Sequence, residues 1–399
     1  MSNFPEGWQD CTVEDLVRFS GGSQPPKSTF VHAAKDGYIR LIQIRDYKTD
    51  KFATYIPEYL ANKLCDENDI MIACYGPPIF QILRGLRGAY NVALIKAIPD
   101  ETRLFREYLY YFLQREDLFR LIDGLSQRSS GQTGIDMKAL NSFALPLPPL
   151  PEQRKIVAIL STWDEAIALT QQLIAALQQR KQALMQLLLT GEVRFKEFDG
   201  EWEEIRIGDE AFLTAGGTPS TYVPEYWGGE IRWMSSGEVH QKRVYEVDGR
   251  ITELGLSESS AKLIPVNSVL VALAGQGKTR GTVAINKVEL STNQSIAAII
   301  PDPRKLHYEF LFYNLDNRYD ELRRLSTGDG GRGGLNLQIL KGIYLLIPSI
   351  PEQQKISEAL QVCDEELEFW GQYISQLQIQ KRGLMQQLLT GAVRVSVEE

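Results

Sequence analysis

Metal-ligating residues are scarce in this chain. Its four cysteines, Cys11, Cys65, Cys74 and Cys363, lie far apart with no C-x-x-C pair, and its three histidines are His32, His240 and His307. That scatter leaves no readable zinc site and no disulfide framework. No apolar run approaches the roughly 18 residues of a membrane span. The opening MSNFPEGWQD has neither the basic flank nor the apolar stretch of a secretory signal. A cytoplasmic protein without membrane contact is expected. Basic charge is short as well: 43 Lys and Arg face 51 Asp and Glu, a formal net charge of −8. This counts against nucleic-acid binding, because phosphate neutralisation normally leaves a basic footprint. The deficit is uneven, however, with −1 over residues 1–144, 0 over 145–199, −3 over 200–344 and −4 over 345–399. The two long segments are near neutral and would need local basic faces, or basic partners, to hold DNA. An apolar fraction of 43% with 24% charged residues makes a folded chain the default, and 399 residues suit two or three domains.

What the chain does have is a repeat. LPPLPEQRKIVAIL from Leu147 returns as IPSIPEQQKISEAL from Ile347, and LQQRKQALMQLLLTGEVR from Leu177 returns as LQIQKRGLMQQLLTGAVR from Leu377. Pro151 pairs with Pro351 and Thr190 with Thr390, a gapless offset of 200 that a duplication explains better than chance. Each copy is punctuated as a helix. Proline opens it, Glu152 or Glu352 faces the positive dipole end, and Gly191 or Gly391 stops it. Helices of about 38 residues, roughly 57 Å long, are expected. Within the first, Ile156, Leu160, Trp163, Ile167, Thr170, Ile174, Leu177, Lys181, Leu184 and Leu188 alternate steps of four and three. The second repeats this with Ile356, Leu360, Cys363, Leu367, Trp370, Ile374, Leu377, Lys381, Leu384 and Leu388. This is a heptad seam. It is too long to be covered by one small domain, so the two helices are expected to pack on each other. Gly371 and Gly383 each cost roughly 1 kcal/mol against alanine, so the second helix needs tertiary support. Two plainer readings stay open: each helix closes its own domain, or the seam drives homodimerisation.

The segments ahead of the helices read as diverged copies of one α+β fold. Each has a tryptophan, Trp8 or Trp202, then a Gly-Gly turn, at Gly21-Gly22 or Gly216-Gly217. Strand-like runs come next, YIRLIQIRD from Tyr38 against EIRWMSSGEV from Glu230, and NDIMIACYGP from Asn68 against NSVLVALAGQG from Asn267. NVALIKAIP matches SIAAIIP, the aromatic helix REYLYYFLQRED matches HYEFLFYNLDNR, and Gly-rich loops from Ser129 and Gly328 lead back into the long helices. The chain is accordingly divided into residues 1–144, 145–199, 200–344 and 345–399. Element order is kept while residue identity is lost, as expected of a shared scaffold that reads different things.

Two motifs look catalytic and are set aside. Ala272-Leu273-Ala274-Gly275-Gln276-Gly277-Lys278-Thr279 matches a relaxed phosphate-binding loop. A true one runs from strand to helix, whereas the residues after Thr279 read as a second strand. A β-hairpin is expected. Tyr75-Gly76-Pro77-Pro78-Ile79-Phe80 faintly resembles an amino-methyltransferase signature, but glycine replaces the amide or carboxylate that would hold the target amino group. No catalytic or metal residues are assigned. Side chains suited to phosphates and base edges are Lys27, Arg40, Arg45, Lys48, Arg84 and Arg87 in the first segment. Gln127, Arg128, Ser130 and Gln132 in its Gly-rich loop join them. In the second segment they are Arg232, Lys242, Arg243, Lys278, Arg280, Arg332 and Asn336. For the basic residues a solvated surface role is the alternative to DNA contact, and for those of the Gly-rich loops, Arg332 and Asn336 included, it is a flexible connector that only aims the helix.

The arrangement of domain, P-E-Q helix, domain, P-E-Q helix resembles the specificity subunits of Type I restriction-modification enzymes over the whole chain. The opening P-E-Q-x-K-I and the ending L-M-Q-x-L-L-T-G-x-V-R, each present twice, carry the resemblance. It implies two pseudo-two-fold-related target-recognition domains separated by an antiparallel coiled coil. Each domain would read one half of a bipartite, asymmetric site in double-stranded DNA, with the helices as a ruler for the unread gap. The resemblance further implies two methyltransferase subunits docked on this chain, supplying S-adenosylmethionine, methylating adenine N6 on a flipped base, and closing basic surface around the duplex. Restriction and motor subunits would bring ATP and Mg. The chain itself would be non-catalytic and bind no cofactor. A scaffold without DNA readout is the rival reading. It gives no reason for two domains to diverge on near-identical helices.

Overall fold

The computed structural model describes residues 5–76, 78–126, 134–275, 277–326 and 334–396. From the N-terminus come strands β1 (Gln9–Thr12), β2 (Val17–Gly21), β3 (Tyr38–Ile42), β4 (Tyr55–Pro57) and β5 (Leu64–Cys65). Next are β6 (Ile70–Ala73), β7 (Gln81–Arg84), β8 (Gly88–Tyr90) and β9 (Leu94–Pro99). Helices α1 (Arg106–Leu113), α2 (Glu116–Ser126) and α3 (Met137–Asn141) lead to β10 (Ala144–Leu147) and the long α4 (Leu150–Leu189). The second half runs β11 (Glu203–Arg206), α5 (Ile207–Glu210), β12 (Ala211–Ala215), β13 (Trp227–Met234), β14 (Arg243–Val244), β15 (Arg250–Ile251) and α6 (Glu253–Ser257). It continues with β16 (Leu263–Ile264), β17 (Val269–Ala272), β18 (Val283–Asn286), β19 (Leu290–Thr292) and β20 (Ile296–Pro301). It closes with α7 (Tyr308–Asn317), α8 (Tyr319–Leu325), α9 (Leu337–Lys341), β21 (Tyr344–Ile347) and the long α10 (Ile350–Thr390).

The chain forms two compact units, residues 1–171 with 373–399, and residues 172–372. Each holds one copy of the α+β domain, the start of its own long helix and the end of the other. The linear division at 144, 199 and 344 therefore describes chain order, whereas the compact units are divided inside α4 and α10.

In unit 1 the strands form sheets ordered β2-β9-β6-β7 and β4-β3-β8-β5, with β1 paired to β10. All four residues of β6 are fully buried, and the period of two sorts them. Ile70 and Ile72 face α1 and the long helix through Tyr108, Phe112, Ile156 and Leu160. Met71 and Ala73 face Tyr90 and Leu94. Unit 2 repeats the plan with sheets β12-β20-β17-β18-β14 and β15-β13-β19-β16, and β11 paired to β21. Val269 and Val271 face Phe310, Tyr313, Ile356 and Leu360, while Leu270 and Ala272 face Val244 and Leu290. Strand β14, added beside β18, has no counterpart among the described residues of unit 1. The aromatic run REYLYYFLQRED is broken into α1 and α2. Arg115 turns inward at the break, pairing with Asp117 and lying 5.2 Å from the Phe112 ring centroid.

The long helices run unbroken for 40 and 41 residues, with Gly371 and Gly383 inside the second. In unit 1, Asp164 meets Lys381 while the earlier Glu152 meets the later Arg394, so the two segments are antiparallel. Unit 2 repeats this through Asp364 with Lys181 and Glu352 with Arg194. Along the first seam Ile156, Leu160 and Leu177 are buried, and Trp163, Ile167, Ile174 and Leu184 are half-buried. Along the second, Ile356, Leu360 and Leu377 are buried, and Leu367, Trp370, Ile374 and Leu384 are half-buried.

Candidate nucleic-acid interface and the junctions that hold it

Each recognition domain is stitched to its long helix by the P-E-Q motif. Gln153 is fully buried. Its Oε1 accepts the Phe105 N–H at 2.7 Å, and its Nε2 donates to Arg103 O and Pro148 O, both at 2.8 Å. Gln353 does the same with the His307 N–H at 2.8 Å, Lys305 O at 2.9 Å and Pro348 O at 2.8 Å. The preceding glutamate faces the other helix's end. Arg394 grips Glu152 with bonds of 2.7 and 2.8 Å, and Trp8 Nε1 donates to the same carboxylate at 3.1 Å. Arg194 grips Glu352 at 2.9 and 2.8 Å. The indole N–H of Trp202 has no partner among the described residues. Gly391 closes its helix at φ +75°, where a Cβ would come within 2.6 Å of Pro5, so both its conformation and its close approach require glycine. Thus the two ends of the repeat, P-E-Q and G-x-V-R, meet each other across the antiparallel pair.

About three turns further along the helices, Tyr111 donates to Asp164 at 2.7 Å and Tyr313 to Asp364 at 2.7 Å. Lys381 and Lys181 complete these pairs. A lysine at a seam position costs stability unless it finds its acid, and so fixes register. Both tyrosines are pushed above their ordinary range, first by burial and then by the adjacent aspartate, which keeps the donating proton in place. The lysines were legible as seam positions and the aspartates only as repeats 200 positions apart. Their pairing across the helices was not.

The structure sorts the basic residues into two groups. Arg40 is bound to Asp50 at 2.6 Å, Arg232 to Glu246 at 3.1 Å and Lys242 to Asp316 at 2.5 Å. Arg84 pairs with Glu107 and stacks 3.5 Å from the Tyr110 ring centroid. Arg243 reaches Glu309 at 2.9 Å, Tyr313 Oη at 2.9 Å and Asp364 at 3.3 Å. Its burial opposes the charge, but Glu309, Tyr313 and Asp364 outweigh it and hold the guanidinium above the usual arginine range. Only Arg243 is held by a buried carboxylate, Glu309, so neutralising a phosphate would compete with that bond. The other four pairs are partly exposed, where an ion pair is worth about 0–1 kcal/mol and yields to a phosphate at little cost. By contrast Lys27, Lys48, Arg87 and Lys278 are exposed and without an ion pair among the described residues. Arg45 donates to Thr54 Oγ1 at 3.0 Å, and the Nε of Arg280 is buried without a partner among the described residues. Uncommitted cations of this kind are what counterion release from DNA requires. Asn336 caps α9 by accepting the Ile339 N–H at 3.0 Å. Gln127, Arg128, Ser130, Gln132 and Arg332 lie outside the described residues.

Both catalytic look-alikes occupy equivalent hairpin tips. β17 and β18 pair antiparallel, Val269 opposite Ile285, so Lys278 stands between two strands with no helix behind it. Arg323 donates to Gly277 O at 2.6 Å and Tyr319 to Lys278 O at 2.9 Å, fastening this tip to α8. In unit 1 the tip joins β6 to β7 and exposes Tyr75. Among the described residues no group of three His, Cys, Asp or Glu is placed to hold a metal, and no helix is long and apolar enough to cross a membrane.

Two domains of one topology, each stitched to a long antiparallel helix pair and each with its own loop tips, define a duplicated recognition protein. The chain belongs to the family of the Type I restriction modification DNA specificity domain, whose profile matches residues 5–179 and 199–378. It is 25% identical to the Type I restriction enzyme MjaVIII specificity subunit of Methanocaldococcus jannaschii, over 98% of this chain and 94% of that one. It is 29% identical to the EcoR124I/EcoR124II specificity subunit of Escherichia coli, over 66% of this chain and 65% of that one. Its fold matches a Type I restriction-modification S subunit from M. genitalium with a TM-score of 0.56 at 15% identity, covering 98% and 97% of the two chains. The protein is a specificity subunit of a Type I restriction-modification system.

Proposed function

We propose that each unit reads one half of a bipartite, asymmetric DNA site, and that the helix pair sets the unread gap and docks two methyltransferase subunits. Those subunits bring S-adenosylmethionine and methylate adenine N6. Restriction and motor subunits joined through them bring ATP and Mg, and the assembly works in the cytoplasm. The observation that carries this reading is selective divergence. The junctions at Gln153 and Gln353 match bond for bond, while the hairpin tips expose Tyr75 in one unit and Lys278 in the other. A constant chassis with variable tips is what two different readers on one spacer need.

The test is genome-wide mapping of methylated adenines in cells carrying this chain with its methyltransferase, against cells with the methyltransferase alone. A two-part motif of fixed gap, present only with this chain, is expected. Replacing residues 1–144 by another member's domain then changes one half and spares the other. Absence of any motif, despite an active methyltransferase in a formed complex, would favour a scaffold without DNA readout.

A further inference from the structure

Among the basic residues of unit 2, Arg243 has an unusual position. It lies on β14, the short strand that pairs in parallel with β18 at Ile285 and that unit 1 lacks among its described residues. The backbone bonds Ile285 N–H to Lys242 O and Lys287 N–H to Val244 O, both 2.8 Å, fix the strand to the recognition sheet. Lys242 holds φ +62° and ψ −52°, a strained conformation for a residue with a side chain. Arg243 follows directly after that turn. Its guanidinium contacts Glu309 and Tyr313 on α7 and Asp364 on α10. Asp364 in turn holds Lys181 of α4. One side chain therefore joins the recognition sheet to the domain's own helix and to α10, and through Asp364 it is linked to Lys181 of α4. Glu309 is 1% exposed and also binds Lys287 at 2.7 Å, so the acid has no solvent to fall back on.

Unit 1 stops short of this. Asp164 receives Tyr111 and Lys381, whereas the sheet cation Arg84 ends on Glu107 and the Tyr110 ring. No cation from a recognition sheet reaches Asp164 among the described residues.

We infer that Arg243 is a positioning residue, which locks the second recognition domain onto the spacer helices and so makes recognition strict about the gap between half-sites. The inference rests on the bipartite reading above. A rigid connection concentrates the second reader at one separation; a loosened one spreads it over neighbouring separations. Arg243 touches no base in this scheme, and its effect differs from that of a specificity contact.

The experiment uses the assembled methyltransferase complex with duplexes carrying the cognate half-sites at the native gap and at gaps one base pair shorter and longer. For Arg243→Met, methylation at the native gap should fall by roughly tenfold while the off-gap duplexes lose less, so discrimination between gaps shrinks. Preference at each base of both half-sites should stay unchanged. Arg243→Lys, which keeps the charge and loses the fork, should restore part of the gap preference and covers the case in which the methionine variant does not fold. Arg232→Met serves as a control, since its Glu246 partner lies inside the recognition domain, and it should leave the gap preference intact. An unchanged gap preference in a folded Arg243 variant, or altered base preference in the second half-site, would overturn the inference alone. A wild-type complex without a fixed gap would overturn the bipartite reading and this inference with it.

Discussion

Replacing Gln153 with leucine keeps most of the side-chain volume and removes both polar atoms by which that side chain stitches the first domain to the start of α4. Three backbone groups lose their partner: the Phe105 N–H, Arg103 O and Pro148 O. Each orphaned buried group costs about 1–2 kcal/mol, and the added apolar burial returns about 1, leaving a net loss of about 3 kcal/mol. For a unit of this size that lowers Tm by roughly 6–12 °C. Urea denaturation of the full chain measures the loss, and hydrogen exchange shows where it falls. Protection should drop around α1 and the start of α4 and be kept in unit 2. Gln153→Glu sharpens the argument. One carboxylate oxygen still accepts the Phe105 N–H, but the other faces two carbonyls and favours the protonated acid. The folded pKa of that glutamate is therefore raised. Its stabilising, protonated form is complete below about pH 4 and is lost as pH rises through the raised value. A Gln153→Leu chain within about 1 kcal/mol of wild type, or a glutamate variant that weakens on acidification through this range, would refute the stitching role.

The same junctions set further outcomes. Arg194→Met should destabilise unit 2 more than Arg394→Met destabilises unit 1, because Glu152 keeps its Trp8 donor and Glu352 has no tryptophan in that role; denaturation showing the reverse order would contradict it. His307 is held below its ordinary value of 6.5, first by burial. Stability of unit 2 should accordingly decline as pH falls below that value, where the unfolded chain takes up the proton more readily. His307→Phe, which copies Phe105 at the matching position, should abolish this slope in thermal melts between about pH 7 and 5.5. Exchanging the seam charges gives a third check. Lys381→Asp alone sets two acids together, whereas Lys381→Asp with Asp164→Lys restores an opposite pair away from Arg243, so a double-mutant cycle should return a coupling of roughly 1–3 kcal/mol. A coupling near zero would remove these residues from register selection.

The long helices were legible because a duplication prints the same punctuation twice and a heptad period survives without knowledge of the partner. Three strands in each domain were legible for a related reason, as with β6 and β17, which are continuous apolar runs, IMIA and VLVA; the shorter strands around them were not. The interface was far less so. Arg40, Arg84, Arg232, Lys242 and Arg243 read as a basic set equal in promise to Lys27, Arg87 and Lys278. Arg243 and its acid Asp364 lie 121 positions apart, and no local pattern marks such a pair. The single aromatic helix expected from REYLYYFLQRED is two helices, α1 and α2, with the buried Arg115 between them. The phosphate-loop look-alike was separable from nucleotide binding by the element after it, β18, a strand where a helix would be needed.

By itself the sequence determined the duplication, the two long helices and their seams, and membership of a family that reads DNA. These depend on periodicity and repetition, which are properties of the chain taken in order. Only the tertiary structure decided that each compact unit joins one domain to the ends of two different helices. It alone paired P-E-Q with the distant G-x-V-R, set the register through lysine and aspartate, and divided the cations into those paired with the chain's own carboxylates and those without an ion pair among the described residues. Ion pairs and buried hydrogen bonds depend on distance in space, and that distance is set by how antiparallel helices and sheets pack.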